Sequence, residues 1–258
     1  MDVEWRRLRA DQLRDQARAD AIVILPVASL EQHGPHLPVE VDSLLGETIA
    51  QRAAAALTAR GTPTLTLPVI WTGLSEHHMS FGGTITLDPP VFAALIEGVI
   101  RSVARHGFRR IVLLNAHGGN ETALRAITDD LTPRLGLPLV QFTYWYAAAA
   151  AIAGILEIQS GLSHACEAET SMMLALHPEL VARERVPPPP PDQAPELPAG
   201  VYRWRSIAAR SATGVIGHPE AATAEKGEIL FAAIAATLAD KLADPDLWTL
   251  PWQADPTP

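Results

Sequence analysis

Residues 21–27 read AIVILPV, an apolar run without a single polar interruption, set directly after the charged stretch ARAD. A strand with one wet face alternates apolar and polar residues. A run that is apolar at every position suits a strand covered on both faces, which requires helices above and below the sheet. The rest of the chain supplies them. Residues 64–70, 110–114 and 137–143 read as three more strands. Between them lie helical patterns. Residues 42–60 place Leu44, Leu45, Ile49 and Ala53 at core spacing, with Gly61 as a stop. Residues 91–106 follow Pro89 and Pro90 and end at Gly107, and a third helix runs from about 121 to 131, closed by Pro133. Residues 1–20 read as an amphipathic helical lead-in. Strands alternating with helices predict an α/β fold with a mostly parallel central sheet and helices on both faces. In such folds the ligand site lies at the carboxyl ends of the strands.

Further along, SHACEAETSMML reads as a loop entering a helix near Glu167, and residues 218–242 as one long helix. Residues 187–198 are dense in proline and read as an extended surface arm, and the tail from 245 onward as loose. No repeat divides the 258 residues, which read as a single domain. With 48% apolar and 19% charged residues the chain has the balance of a folded protein rather than a disordered one. A formal net charge of −9 leaves no basic surface for nucleic acid. The lone Cys166 permits no internal disulfide, the N-terminal segment lacks the apolar core of a signal peptide, and no apolar run is long enough for a bilayer. The expectation is a cytoplasmic protein with no membrane partner.

The chemistry-bearing residues follow the strands. The stretch 25–46, LPVASLEQHGPHLPVEVDSLLG, packs Glu31, His33, His36 and Asp42 into a short span. Carboxylate oxygens mixed with imidazole nitrogens suit Zn²⁺, Mn²⁺ or Fe²⁺ better than Ca²⁺ or Cu⁺. Gly34, Pro35 and Pro38 forbid a helix here, so the loop can fold its side chains back onto one point. Asp42 opens a helix; it can bridge two ions, cap the helix, or do both. NAHGGN places His117 after the third strand, with Gly118 and Gly119 allowing close backbone approach. In HACEAETS, His164 sits on a loop where it can serve as a general acid or base, and Glu169 lies near a helix start. Glu167 reads equally as a site residue and as a plain acid at a helix N-terminus. Cys166 reads as a packed residue, not a nucleophile. His77, His78, Tyr144 and Trp145 line a substrate pocket or belong to surface and core. His106, His177 and His218 read as structural.

Taken together, LPVASLEQHGPHLPVEVDS, SFGGTITLDP, NAHGGN, HACEAETSMML and ATAEKG resemble the creatininase family of amidohydrolases, in the family's order and over nearly the whole chain. The resemblance implies a three-layer α/β/α fold, a dinuclear metal centre and a homo-oligomer, often a hexamer. By position, Glu31, His33, Asp42 and His117 correspond to metal ligands, with Asp42 bridging, and His164 to the catalytic histidine. In creatininase a glutamate stands two residues after the histidine matching His117; here Gly119 stands there. The resemblance therefore requires the second metal to be completed elsewhere, with Glu169 the candidate and Glu121 the weaker one. It also argues against creatinine as the substrate. The family extends to deformylases of formamidopyrimidine nucleotides, a peptidase of the mycofactocin pathway and a hydrolase of oxidised inositols.

These readings converge on a hydrolase with two divalent ions per subunit (Zn²⁺, Mn²⁺ or Fe²⁺) that opens a C–N bond in a cyclic or small amide. Glu31, His33, Asp42, His117 and Glu169 are expected to hold metal. His164 is expected to move the proton, with His78, Gly118 and Trp145 against the substrate. A peptidase or deformylase is the neighbouring alternative, and a metal-binding protein without catalysis the alternative from another class. Nucleotide binding through HGGN lacks the lysine and hydroxyl of a phosphate loop.

Overall fold

The computed structural model describes residues 2–188, 198 and 200–250. Four strands, β1 (Ile22–Val27), β2 (Thr64–Thr66), β3 (Arg110–Asn115) and β4 (Leu139–Thr143), form one sheet in the order β2-β1-β3-β4. Every pairing is parallel, with Ile22 beside Arg110 and Val27 beside Asn115. The order places β1 and β3, the two most apolar strands, in the centre.

Side-chain alternation along β1 explains the unbroken apolar run. Ile22 and Ile24 pack on one face with α2 (Val41–Ala59), α7 (Glu167–Leu176) and α8 (Ala224–Leu242). Val23, Leu25 and Val27 pack on the other with α3 (Pro89–Arg105) and α4 (Glu121–Leu135). Two helical layers thus sandwich the sheet, the three-layer arrangement the sequence predicts. The remaining helices are short: α1 (Ala10–Arg18), α5 (Tyr144–Ala147) and α6 (Ala149–Ala153). Among the described residues, no helix is long and apolar enough to cross a membrane.

Several boundaries differ from expectation. The lead-in helix is confined to α1, because the chain before it makes a 3-10 turn at Trp5–Arg7 and a bridge from Glu4 to Thr66. β2 stops at Thr66, since Pro68 offers no N–H to extend the ladder, although Leu67 and Ile70 still donate to Ile24 and Pro26. Helix α4 runs past Pro133 to Leu135. A proline in the last turn costs a single backbone bond there, and Gly136, left-handed at φ 60°, ends the helix. Helix α8 begins at Ala224, where the Thr223 hydroxyl accepts the N–H of Lys226; Pro219–Ala221 before it is a separate 3-10 turn. The tail is docked as far as Pro245–Trp248, whose indole N–H donates to the Leu242 carbonyl at 3.2 Å. Most of the proline-rich stretch 187–198, and residues 251–258, lie outside the described residues.

Candidate metal centre

The carboxyl ends of the parallel strands share one edge of the sheet, and the loops leaving that edge carry the polar residues. The β1 loop holds Glu31 and His33 and delivers Asp42 into the first turn of α2. The β3 loop holds His117, its N–H taken by Asn115 Oδ1. The chain after β2 makes a 3-10 turn, Glu76–Phe81, with His77 and His78, and is pinned by Asn120, which accepts the Leu74 N–H and donates to the Ala28 carbonyl. The last contributor comes from outside the sheet: His164 on the loop before α7, and Glu169 in that helix's first turn. Ala165 between them is left-handed at φ 52°, which turns its N–H onto the Glu169 carboxylate.

Glu31, His33, Asp42, His117 and Glu169 are all buried, and their side-chain ends converge. The N-cap of α2 is Glu40, and Asp42 lies inside the first turn. It places Oδ1 3.2 Å from His33 Nε2 and Oδ2 3.1 Å from His117 Nδ1. Glu31 Oε2 lies 3.0 Å from the same His117 nitrogen, and Glu169 Oε2 3.8 Å from His33 Nε2. Despite these distances, His33 Nε2 and Asp42 Oδ2 have no hydrogen-bond partner among the described residues. Three overlapping sets have ligand atoms close enough for one cation: Glu31, Asp42 and His117; His33, His164 and Glu169; and Glu31, His78 and His164.

The outer nitrogens fix which lone pairs face inward. His33 donates Nδ1–H to the Glu31 carbonyl at 3.1 Å, leaving Nε2 bare toward Asp42 and Glu169. His117 turns Nε2–H to Ser75 Oγ (3.1 Å) and the Leu74 carbonyl (3.2 Å), leaving Nδ1 bare toward Glu31 and Asp42. Ser75 in turn donates to Glu31 Oε2 at 2.9 Å and meets Ser29 Oγ at 2.5 Å. A carbonyl or hydroxyl holding the far nitrogen is the usual support of a metal-binding imidazole.

Electrostatics point the same way. Burial alone would lower His33, but Asp42, Glu169 and Glu31 push it up to about 9. Burial opposes protonation of His117 too, yet Glu31 and Asp42 drive it well up. Burial and the charges of Asp42 and Glu31 raise Glu169 to about 8, against the pull of His33. Asp42 is held at about 2 by the imidazoles in spite of its burial. Three buried carboxylates that raise the proton affinity of the inward-facing imidazole nitrogens form a cage that fits positive charge. The N/O donor set fits Zn²⁺, Mn²⁺ or Fe²⁺.

His164 stands against this cage with its ring 4.3 Å from that of His33 and 4.6 Å from that of His78. It donates Nε2–H to the Gln32 carbonyl at 2.8 Å and leaves Nδ1 bare, 3.6 Å from Glu31 Oε1. Burial, His33 and His78 push it well below the usual histidine value, so the ring is neutral at pH 7. His78, Gly118 and Trp145 line one chamber of about 260 Å³ with the cluster, together with His77.

Other expected residues fall elsewhere. Glu121 pairs with Arg125 at 2.7 Å and lies outside the cluster. Glu167 accepts from Lys226 Nζ at 2.7 Å and from two backbone N–H groups, so it is tied to structure. His36 reaches Thr170 Oγ1 at 3.0 Å and takes no part in the three ligand sets. The Cys166 thiol is buried and pushed up to about 12, an inert group. Position 119 has no room for a side chain: a Cβ there would sit 2.1 Å from the Leu74 carbonyl and 2.5 Å from His117 Nε2.

Sequence reasoning passed over Gln32, which organises both outer histidines. Its Oε1 accepts the Gly34 N–H at 2.9 Å, and its Nε2 donates to His78 Nδ1 at 3.0 Å and to the Gly214 carbonyl at 3.2 Å. The two backbone partners orient the amide, so His78 must accept at Nδ1 and carry its proton on Nε2, which faces Glu31 Oε1 at 3.2 Å. Gly214, at φ 81°, admits the amide because a Cβ would lie 2.0 Å from Gln32 Oε1. The only signal for Gln32 was a polar residue between two candidate ligands. Ser29 and Ser75 gave none.

The creatininase family model, described as creatinine amidohydrolase, matches residues 6–242. The chain is 35% identical over 219 residues to a mycofactocin precursor peptide peptidase of Mycobacterium tuberculosis, covering 82% of this chain and 80% of that one. It is 31% identical over 244 residues to creatinine amidohydrolase of Pseudomonas putida, covering 88% and 91%. A crystal structure of creatinine amidohydrolase superposes with a TM-score of 0.81 at 30% identity, over 96% of this chain and 99% of that one. Similar creatininase structures include a form described with Mn and one of Zn–Zn type.

Proposed function

The chain belongs to the creatininase family of hydrolases, and on that premise we propose that it is an amidohydrolase that holds two divalent cations and cleaves the C–N bond of a small or cyclic amide. The observation that supports this most is Asp42. Its two oxygens face two imidazoles from different loops, and one of those oxygens and one of those nitrogens have no hydrogen-bond partner among the described residues. Glu31, Asp42 and His117 would hold one ion, and His33, Asp42 and Glu169 the other, with Asp42 shared. When bound, such a pair acidifies water and polarises a carbonyl oxygen.

His164 is the group placed to handle the proton. Its Nδ1 is bare and its ring neutral, so it can take a proton at that atom and hand it to the departing nitrogen. The Gln32 carbonyl keeps the ring from turning and stabilises the charge the ring then carries. Trp145 and Tyr146 line the chamber with the carboxylates. Assembly as a homo-oligomer, hexameric by resemblance, and a cytoplasmic location belong to the same proposal.

A second reading, cleavage of a peptide, is supported by a cleft of about 1150 Å³ that adjoins the chamber. Elemental analysis of protein purified without chelator, alongside hydrolysis of lactams, formamides and short peptides, tests both. Close to two equivalents of Zn, Mn or Fe with turnover of a lactam or formamide is the expected result. Turnover confined to peptides selects the second reading. No retained metal, and none rebinding, refutes the dinuclear centre.

A further inference from the structure

The chamber and the larger cleft share three residues, His77, Gly118 and Arg210. Arg210 is therefore at the junction between the proposed reaction site and the space where the rest of a substrate would lie. Its backbone is fixed: the Ile207 carbonyl accepts the N–H groups of both Arg210 and Ser211 at 2.8 Å, and the Ile207 side chain is buried and lines the chamber. Among the described residues, no carboxylate pairs with the Arg210 side chain, although Glu76 and Asp88 line the same cleft. Glu121, also on the cleft, is engaged by Arg125. Partial burial and the neighbouring Arg205 push the Arg210 guanidinium below the usual arginine value. In a protein of formal net charge −9, a cation at this junction without a carboxylate partner among the described residues is poised for an anion from outside. The guanidinium fork matches the two oxygens of a carboxylate.

We propose that Arg210 is a specificity-determining residue that receives a carboxylate borne by the amide substrate, with the scissile bond in the chamber and the remainder in the larger cleft. This rests on the amidohydrolase reading above and names its substrate class: a carboxylate-bearing amide of peptide size. The volumes support the size, since about 260 Å³ accommodates the reacting group and about 1150 Å³ lies beyond it. Glu76 and Asp88 on the cleft wall disfavour a dianion such as a phosphate ester. Tyr202 and Trp204 give the cleft ring faces for an apolar portion.

The test is calorimetric titration of the purified protein, Arg210→Gln and Arg210→Lys with N-acetylglycylphenylalanine and with its C-terminal carboxamide. Metal content is measured on the same samples. The wild type should bind the acid about ten-fold or more tightly than the carboxamide, the scale of a charge-assisted contact. Arg210→Gln should erase that preference without changing metal content, and Arg210→Lys should keep part of it. Equal binding of acid and carboxamide by the wild type, or no binding of either, overturns the proposal. A preference that survives in Arg210→Gln also overturns it, by placing the carboxylate elsewhere. Because Arg210 is no proposed ligand, missing metal would refute the dinuclear reading and leave the acid–carboxamide comparison to judge Arg210 by itself.

Discussion

Replacing Lys226 by methionine probes how the last helix supports the site. Lys226 lies in the first turn of α8, buried, with Nζ 2.7 Å from Glu167 Oε1, 2.5 Å from the Ala221 carbonyl and 3.1 Å from Glu157 Oε1. Glu167 is fully buried and opens α7, the helix that carries Glu169. Methionine fills similar volume but leaves the Glu167 carboxylate with only the N–H groups of Glu157 and Ile158, at 2.9 and 3.2 Å. Breaking a buried pair from one side costs about 3–5 kcal/mol, and the two surviving donors place this case near ~3 kcal/mol. At about 2.1 cal/mol/K per residue, a chain of 258 residues has a melting entropy near ~0.5 kcal/mol/K, so Tm should fall by about 6 °C.

The pH dependence separates this cause from a packing defect. In the wild type, burial would raise the Glu167 carboxyl, but Lys226 and the two N–H groups outweigh it and hold the group below the usual value. Its contribution is therefore present above the unfolded-state pKa and lost as pH falls through the lower folded one. In Lys226→Met, burial prevails and the carboxyl moves above its unfolded value. The penalty is then full at neutral pH and fades as the carboxyl protonates. Scanning calorimetry of both proteins should show the largest Tm gap near pH 7, shrinking toward about pH 4. Adding Glu167→Gln to Lys226→Met should recover most of the loss. A gap under ~1 °C at pH 7, or one that stays constant with pH, would refute the argument.

Two further substitutions bear on the cage itself. His164→Ala should retain both metal equivalents and lower kcat by about 10²–10⁴; unchanged turnover removes the proton role, and a lost equivalent would make His164 a ligand. Gly119→Ala should push the Leu74 carbonyl away, disturb Ser75, and weaken zinc affinity by roughly 10–100-fold in competition with a chromophoric chelator; unaltered affinity would show that the crowding at position 119 is relieved harmlessly.

What the sequence disclosed was governed by short-range pattern. The unbroken apolar run at 21–27 forces a strand buried on both faces, and the alternation of such runs with helices leaves little choice but a three-layer parallel fold. That topology brings the loops of β1 and β3 to one edge, so Glu31, His33, Asp42 and His117 could be expected together before any distance was known. Boundaries were less legible because neighbours overrule local rules: Pro133 sits inside α4 since the last turn can spare a bond, and β2 ends early at Thr66, ahead of Pro68. The contributions of Gln32, Ser29 and Ser75 are tertiary. Ser75 is 44 residues from the Glu31 it bonds, and Gln32 is 132 residues from His164, separations at which no periodicity carries information.

Position 119 shows why a missing ligand and its surroundings have to be read together. In sequence, Gly119 is only an absence, the place where the family resemblance implies a glutamate. In the fold the space is taken: the Leu74 carbonyl, the outer nitrogen of His117 and the His77 ring close on it. The same Leu74 carbonyl accepts from His117, and the adjoining Ser75 holds both His117 and Glu31. Restoring a side chain at 119 would therefore displace the support of two proposed ligands in order to add one. Glu169 comes from α7, with its carboxylate steadied by the Ala165 N–H and its helix braced by Lys226 through Glu167. In the proposed centre the second cation thus depends on α7 and α8 where the glutamate implied by the family resemblance would have tied it to the β3 loop. The ATAEKG stretch of the last helix, far from the chamber in sequence, then acts on the site through the position of α7.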